Sequence, residues 1–337
     1  MENKILSIAI PTYNRRDALL RLLKGIENLD YSPLYEIIIS DNCSNYDVES
    51  VLKKNLSPDF LSICRLVKNK VNIGSSGNIK NQYLLCQTKW LWLIGDDDEV
   101  EPDCLKYIMN DIASDTNCAL FRYSISYDVQ GRLGQHTEDD IAMRSIQDFI
   151  NYYQDGTKSK GNMVFMSNNV FNMEKMAPYV YYSFMFSTPI NPLIPAFKGL
   201  DEHKIYIRYR SAVICKYNEP EANDHWDRIR VLLSLSTVSH IPFKSLNETD
   251  LNKLMQTLNF IPFKAFCGWV IKNKSIPWER IKMVYHDFYQ FQKSISKPIL
   301  YVLLRLEMKY KIPLLTLIRN AGYKLKKQSS IKTYDKS

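Results

Sequence analysis

An α/β fold with a mostly parallel central sheet flanked by helices is what residues 1–115 predict, on two observations. Short apolar runs alternate with stretches whose apolar residues recur every three or four positions, and each apolar run ends in a polar loop. Strands joined by helical crossovers lie parallel with both faces covered, and such sheets bind ligands outside the carboxyl ends of their strands.

The first run, Leu6 to Ile10, stops at Pro11. Beyond it Ala18, Leu19, Leu22, Leu23, Ile26 and Leu29 fall on one helical face, with Asn14 placed to cap the helix and Asp17 to complement its N-terminus. Buried strands are predicted over Glu36–Ser40, Leu61–Val67 and Trp90–Ile94, and helices over Val48–Lys54, Ser76–Cys86 and Pro102–Ala113. From Cys118 to Ser211 the pattern is less regular, with the aromatic cluster Tyr179–Phe184 and a proline-interrupted Thr188–Phe197, and loops are expected there. After Leu251 the pattern is helical, broken at Pro262, Pro277, Pro298 and Pro313. The chain therefore divides into residues 1–250 and a helical region, 251–337.

A chain of 337 residues with 45% hydrophobic content buries a sizeable core. Its net charge of +8 is uneven: from Phe260 onward there are 16 Lys and Arg against 4 Asp and Glu, so the preceding residues are net acidic. Seven scattered cysteines fit neither a disulfide framework nor a structural zinc site. The opening MENKILSIAI lacks the pattern of a secretion leader, and no apolar run is long enough to span a bilayer, so a cytoplasmic location is expected. In the basic region, Ile299–Leu304 and then Ile312, Leu314, Leu315, Leu317 and Ile318 are interleaved with Arg305, Lys309, Lys311 and Arg319. Such helices lie in an anionic membrane interface or pack on their own domain or a partner subunit, and both readings stand. No nucleic-acid-binding motif accompanies the charge, and oligomeric state is left open.

The polar loops carry the chemistry. They read Ile10-Pro11-Thr12-Tyr13-Asn14-Arg15, then Ser40-Asp41-Asn42-Cys43-Ser44, then Asn69 to Gly74 followed by Asn78 and Asn81, then Ile94-Gly95-Asp96-Asp97-Asp98-Glu99. Three successive carboxylates beside a buried strand are costly without a cation, and hard cations such as Mg²⁺ and Mn²⁺ take oxygen ligands. The alternative is an acidic loop that favours the next helix, a role suited to Glu99, Glu101 and Asp103. Asp41 and Asn42 suit turn chemistry as well as binding, and Arg15 suits a first-turn surface position as well as a phosphate.

In order and spacing these loops resemble glycosyltransferase family 2, whose members have the GT-A fold. The resemblance implies a nucleotide-sugar donor and a Mn²⁺ or Mg²⁺ cofactor held by Asp97 and Asp98, with Asp96 near the ribose or the metal. It further implies that Asp41 accepts from base or ribose, that Pro11, Thr12 and Tyr13 wall the base, and that Arg15 meets a phosphate. Asn42, Asn72, Gly74 and Asn78 would border the nucleotide, residues 1–115 forming the nucleotide-binding half and 116–250 the acceptor half. Gly95 stands where many members have their first aspartate.

The usual Glu-Asp pair before a leucine-rich helix is missing, and the region that should hold it reads Thr188 to Pro195. This, with the Trp-Leu-Ile-Gly-Asp-Asp-Asp form, is similar to the abequosyltransferase-like branch of surface-polysaccharide enzymes, as is Asn223-Asp224-His225-Trp226-Asp227. That likeness implies a glycan or lipid-linked glycan acceptor, His225 as a metal or diphosphate ligand, and Asp224 or Asp227, with Asp98, as catalytic carboxylates. Asp224, His225 and Asp227 each also suit a helix start, and Asp201 and Glu202 are weaker candidates for the base. The alternative from another class is a non-catalytic glycan-binding or membrane scaffold on the same fold. A dinucleotide-dependent oxidoreductase is excluded, because Pro11 to Arg15 contains no glycine.

Overall fold

The computed structural model describes residues 5–129, 132–136, 139–154, 165–185, 193–217, 228–259, 261–273, 276–292 and 296–310. Two compact units are formed, Met1–Thr257 and Leu258–Ser337.

The first unit opens with β1 (Leu6–Thr12), α1 (Arg16–Glu27), β2 (Leu34–Asp41), α2 (Val48–Asn55), α3 (Pro58–Leu61), β3 (Cys64–Lys68), α4 (Gly74–Leu85) and β4 (Trp90–Leu93). β1 pairs in parallel with β2 and β4, and β2 with β3, so the alternation read from the sequence produces a four-strand parallel block. Leu6, Ile8, Ile37, Ile39, Trp90 and Trp92 pack with Leu19, Leu22, Leu23 and Ile26 of α1 in one core. β3, at the sheet edge, is only half-buried.

Two local expectations change. Asn14 does not cap α1: it adopts the left-handed conformation (φ 55°) and its Oδ1 accepts from Asn45 N at 2.8 Å, while Arg15 takes the cap position. An Asx residue in a tight turn can bind a facing loop in preference to its own helix. The third strand starts at Cys64, not Leu61, because Ser57 Oγ accepts from Phe60 N at 3.3 Å and, with Pro58 following, starts a short helix that ends at Leu61.

The chain continues through β5 (Asp98–Val100), α5 (Cys104–Ser114), β6 (Leu120–Val129), β7 (Arg132–His136), β8 (Ile141–Met143), α6 (Ile146–Gln154), β9 (Asn169–Asn172) and α7 (Met173–Met185). Then come α8 (Leu193–Glu202), β10 (Ile205–Tyr217), α9 (Arg228–Ser236) and α10 (Glu248–Thr257). The sheet runs β3-β2-β1-β4-β9-β6-β10-β5, with β7 against β6 and β8 against β10. Parallel pairing gives way to mixed pairing at β9, which lies antiparallel between β4 and β6. Over Cys118–Ser211, where loops are expected, the described residues are instead largely regular structure, including a helix, α7, that keeps Pro178 inside it, while residues 188–192 of the proline-interrupted stretch lie outside the described residues. The helix expected from Pro102 starts at Cys104, after a strand the apolar pattern does not signal, β5, which pairs antiparallel with β10.

The second unit holds α11 (Phe263–Lys272), α12 (Trp278–Asp287) and α13 (Ser296–Tyr310), with Pro262 and Pro277 at the caps of the first two. Phe263, Phe266, Val270, Ile281, Val284 and Tyr289 are buried within it. Tyr301 of α13 stacks on Tyr285 of α12 at 3.8 Å between ring centroids. Ile299, Val302, Leu306 and Tyr310 of α13 are exposed. Among the described residues no helix is long and apolar enough to cross a membrane, and the seven cysteines are free thiols.

Candidate functional site

The four polar loops meet at the carboxyl ends of β1, β2, β3 and β4. Backbone bonds tie them in pairs: Asn42 N donates to Thr12 O at 2.9 Å, and Asn69 N to Asp41 O at 2.9 Å. Side chains extend the network. Asn42 Nδ2 donates to Asn72 Oδ1 at 2.8 Å, and Asn42 Oδ1 accepts from Asn69 Nδ2 at 3.1 Å and Ile73 N at 3.0 Å. Buried Asn78 donates to Ser40 O at 2.9 Å and accepts from Ser40 Oγ at 2.7 Å and Asn69 Nδ2 at 3.1 Å. An amide network of this kind, anchored on buried Asn42 and Asn78, holds backbone loops in one arrangement. Gly74 opens α4 at φ 78°, a conformation glycine adopts without steric cost, and its N donates to Asn72 Oδ1 at 2.8 Å. Asp41 is fully buried; its Oδ1 accepts from Ser44 N at 2.9 Å, and its Oδ2 makes no hydrogen bond with the described residues. Thr12 is buried, Pro11 half-buried and Tyr13 exposed beside them.

The acidic loop leaves β4 and returns to the sheet through β5. Asp96 and Asp98 are each 4% exposed, whereas the Asp97 side chain is 29% exposed. One nitrogen of Arg15, Nη1, lies 3.0 Å from Asp96 Oδ1 and 2.7 Å from Asp97 Oδ2. From within α1, Arg21 donates to the Asp97 carbonyl at 3.4 Å and pairs with Glu99 at 3.1 Å. Ser167 accepts from Gly95 N at 2.8 Å and donates to Asp98 Oδ2, and its carbonyl accepts from Trp92 Nε1 at 2.8 Å. A Cβ on Gly95 would sit 3.0 Å from Asp97 Oδ1 and 3.2 Å from Asp98 Oδ2, so glycine here leaves room for two carboxylates to fold back.

Burial dominates the electrostatics. It pushes the Asp96 carboxyl up to about 6 against the pull of Arg15, with the Asp97 charge adding to the rise. Burial, then the Asp97 charge, puts the Asp98 carboxyl well above the usual range, although Ser167 opposes this. Arg15 is held more firmly protonated than usual: burial disfavours its charge, and Asp96 and Asp97 more than offset that. Two of the three successive carboxyl groups, Asp96 and Asp97, thus share the Arg15 guanidinium, while the third, Asp98, accepts from Ser167. With all three ionised, the excess is two negative charges on hard oxygen donors, and Asp96 Oδ2 is buried without a hydrogen bond to the described residues. This donor set fits a hard divalent cation. No three acidic, histidine or cysteine side chains converge on one point among the described residues.

Asp224, His225 and Asp227 lie outside the described residues. Asp201 is committed elsewhere: it pairs with buried Lys198 at 2.7 Å and accepts from Lys244 N and Ser245 N, fastening α8 to the segment before α10. Ser167 and Arg21 belong to the site without standing in any of its motifs. Arg21 follows Asp17 by four residues, a spacing that reads as a local helix pair and hides its reach to the acidic loop. Ser167 reaches the site only because β9 inserts beside β4.

The fold is of the GT-A type. The chain superposes on the S. aureus TarS 1–349 structure in complex with UDP with a TM-score of 0.65 at 14% identity, covering 91% of this chain and 92% of that one. The complex of the same fragment with UDP-GlcNAc gives a TM-score of 0.63 at 12% identity with the same coverage. Residues 7–180 match glycosyl transferase family 2, and the chain belongs to that family. Among curated relatives, the GalNAc(5)-diNAcBac-PP-undecaprenol beta-1,3-glucosyltransferase of Campylobacter jejuni is 34% identical over 104 residues, 31% of this chain and 33% of that one. Abequosyltransferase RfbV of Salmonella typhimurium is 32% identical over 120 residues, 34% of this chain and 35% of its own. The match therefore spans about a third of each relative's length.

Proposed function

We propose that this protein transfers a sugar from a nucleoside-diphosphate sugar to a hydroxyl of a glycan or lipid-linked glycan acceptor in bacterial surface-polysaccharide synthesis. The observation that carries this is the acidic triplet at the carboxyl end of β4, three carboxyl groups of which two meet a single guanidinium, beside the buried, half-satisfied carboxylate of Asp41. The family and the names of the relatives support the reaction class, and the carboxylates support metal assistance.

In this reading Asp97 and Asp98 hold Mn²⁺ or Mg²⁺, with His225 as a further ligand. A cation held there would supply positive charge against the negative charge that develops on a departing nucleoside diphosphate. Asp41, through Oδ2, accepts from the base or ribose, and Asp96 takes the ribose side of the acidic loop. Pro11, Thr12 and Tyr13 wall the base. Asn42, Asn72, Gly74 and Asn78 set the shape of the opposite wall. Asp224 or Asp227 removes the acceptor proton. The exposed apolar row on α13, with the basic residues around and beyond it, is read as a contact for the anionic face of a membrane, where a lipid-linked acceptor would lie.

Calorimetric titration of UDP, GDP, CDP and dTDP with and without Mn²⁺, repeated on Asp97→Ala, tests the reading. The expected result is metal-dependent binding of one nucleotide with Kd on the order of micromolar, lost in the variant, and slow hydrolysis of the matching sugar donor. Failure of every nucleotide to bind under any metal condition overturns it in favour of a non-catalytic scaffold.

A further inference from the structure

We propose that Arg15 is a cation surrogate: between donor-binding events its guanidinium, bridging Asp96 and Asp97, occupies Asp97 in place of the divalent cation, and it transfers to the donor diphosphate when metal and donor arrive. The inference rests on the function proposed above. It makes metal and nucleotide enter together, with Arg15 as the device that couples them.

The geometry is that of a charge bridging two oxygens. A guanidinium usually meets one carboxylate with two parallel bonds, yet here a single nitrogen serves two different carboxylates, at 3.0 and 2.7 Å. These are neighbouring side chains on one loop, whose third carboxyl group, Asp98, leans on Ser167. Asp97, the most accessible of the three, is the ligand an incoming ion would reach first, and it is the one Arg15 approaches most closely. A guanidinium and a divalent cation cannot both stay within contact distance of Asp97, the carboxylate that the ion pair and the proposed metal site have in common, without strong repulsion. Binding of the metal alone must therefore displace an arginine whose side chain is only 14% exposed, at the expense of two charge-assisted bonds.

The donor removes that penalty. Its diphosphate brings fresh anionic oxygens to the mouth of the same loop, and guanidinium pairs well with phosphate. Arg15 sits at the end of the turn after β1, at the cap of α1, so its side chain can change partners while Asn14 keeps the backbone turn fixed to the facing loop. By linkage, nucleotide tightens the metal by the same factor that metal tightens the nucleotide, and the factor depends on Arg15.

The test is Mn²⁺ binding followed by electron paramagnetic resonance of the free ion, with and without whichever nucleoside diphosphate the calorimetric screen selects. Wild type is expected to bind Mn²⁺ weakly alone and at least tenfold more tightly with nucleotide. Arg15→Gln is expected to bind Mn²⁺ alone at least tenfold more tightly than wild type, with the nucleotide's effect reduced to threefold or less. Arg15→Lys keeps a positive charge beside Asp97 but not the planar fork that pairs with phosphate, so it should hold Mn²⁺ alone at the wild-type level and still lose the coupling. It also serves if Arg15→Gln does not fold. Unchanged or weakened Mn²⁺ binding in Arg15→Gln, with the nucleotide's effect intact, overturns the inference while leaving the proposed function standing. Absence of Mn²⁺ binding by wild type with every nucleotide overturns both.

Discussion

Asp96 and Asp98 are carboxylates kept in a place that disfavours their charge, and that tension has a measurable sign. The Asp96 carboxyl is raised from an ordinary 3.8 to about 6. Below about 4 both folded and unfolded forms are protonated and the site costs nothing; between about 4 and 6 the unfolded form ionises first; above about 6 the full penalty is present. The metal-free protein is therefore destabilised by Asp96 at neutral pH, by on the order of 2 to 3 kcal/mol. Asp96→Asn is expected to raise stability at pH 7.5 in EDTA by that order and to leave it nearly unchanged at pH 4. Urea unfolding of both proteins at the two pH values checks this, and a constant difference between them would refute it. A second residue-scale outcome concerns Gly95. Gly95→Ala should weaken Mn²⁺ binding by about tenfold with a nearly unchanged melting temperature, because the added methyl presses on Asp97 and Asp98 and not on backbone; isothermal titration measures it. The acidic triplet, Asp41 and the asparagines are legible because loops at the ends of apolar runs announce themselves by polarity and position. Ser167 is not, since one serine that hydrogen-bonds to a carboxylate 69 residues away leaves no local pattern.

At the level of elements, legibility follows the range of the pairing. β1, β2 and β4 are apolar runs whose neighbours arrive by short helical crossovers, so periodicity alone outlines them. β9 is four residues long and β5 three, and each owes its existence to a strand distant in sequence, so propensity has little to say. The irregular pattern from Cys118 to Ser211 hides regular elements for that reason, and their order depends on buried polar fasteners of the kind that Lys198 and Asp201 provide. Lys198 Nζ lies 2.7 Å from Asp201 Oδ2 and 2.7 Å from Pro242 O, with both side chains almost wholly buried. Removing Asp201 leaves buried Lys198 with only the longer, part-exposed ion pair to Glu202 at 3.7 Å, and breaking a buried pair costs about 3–5 kcal/mol. Asp201→Ala should lose stability of that size in urea unfolding, whereas the double change Lys198→Met with Asp201→Ala should recover part of it. A loss under about 1 kcal/mol in the single variant, the size of a surface pair, would show that the pair does not fasten α8.

Across the whole molecule, charge is divided. Phe260 onward carries 16 Lys and Arg against 4 Asp and Glu, and the residues before it, including the acidic loop, are net negative. Within the second unit, Ile299, Val302, Leu306 and Tyr310 recur at spacings of three and four along α13, which places them on one helical face, and all are exposed. Arg305 and Lys309 are exposed beside them. An apolar row flanked by basic side chains matches the boundary between acyl chains and anionic headgroups, where each Lys or Arg contributes about 1 kcal/mol of attraction. The protein is therefore expected to co-sediment with vesicles containing about a third phosphatidylglycerol, and not with pure phosphatidylcholine, the binding falling as salt screens the headgroups. Val302→Asp with Leu306→Asp should cut vesicle affinity by about tenfold or more by placing carboxylates against like charge, while nucleotide binding stays unchanged because neither residue belongs to the acidic loop's unit. Co-sedimentation equal in the double variant and wild type would assign the attraction to the basic residues alone and remove α13 from the contact; no co-sedimentation of either would leave the apolar row to a protein partner.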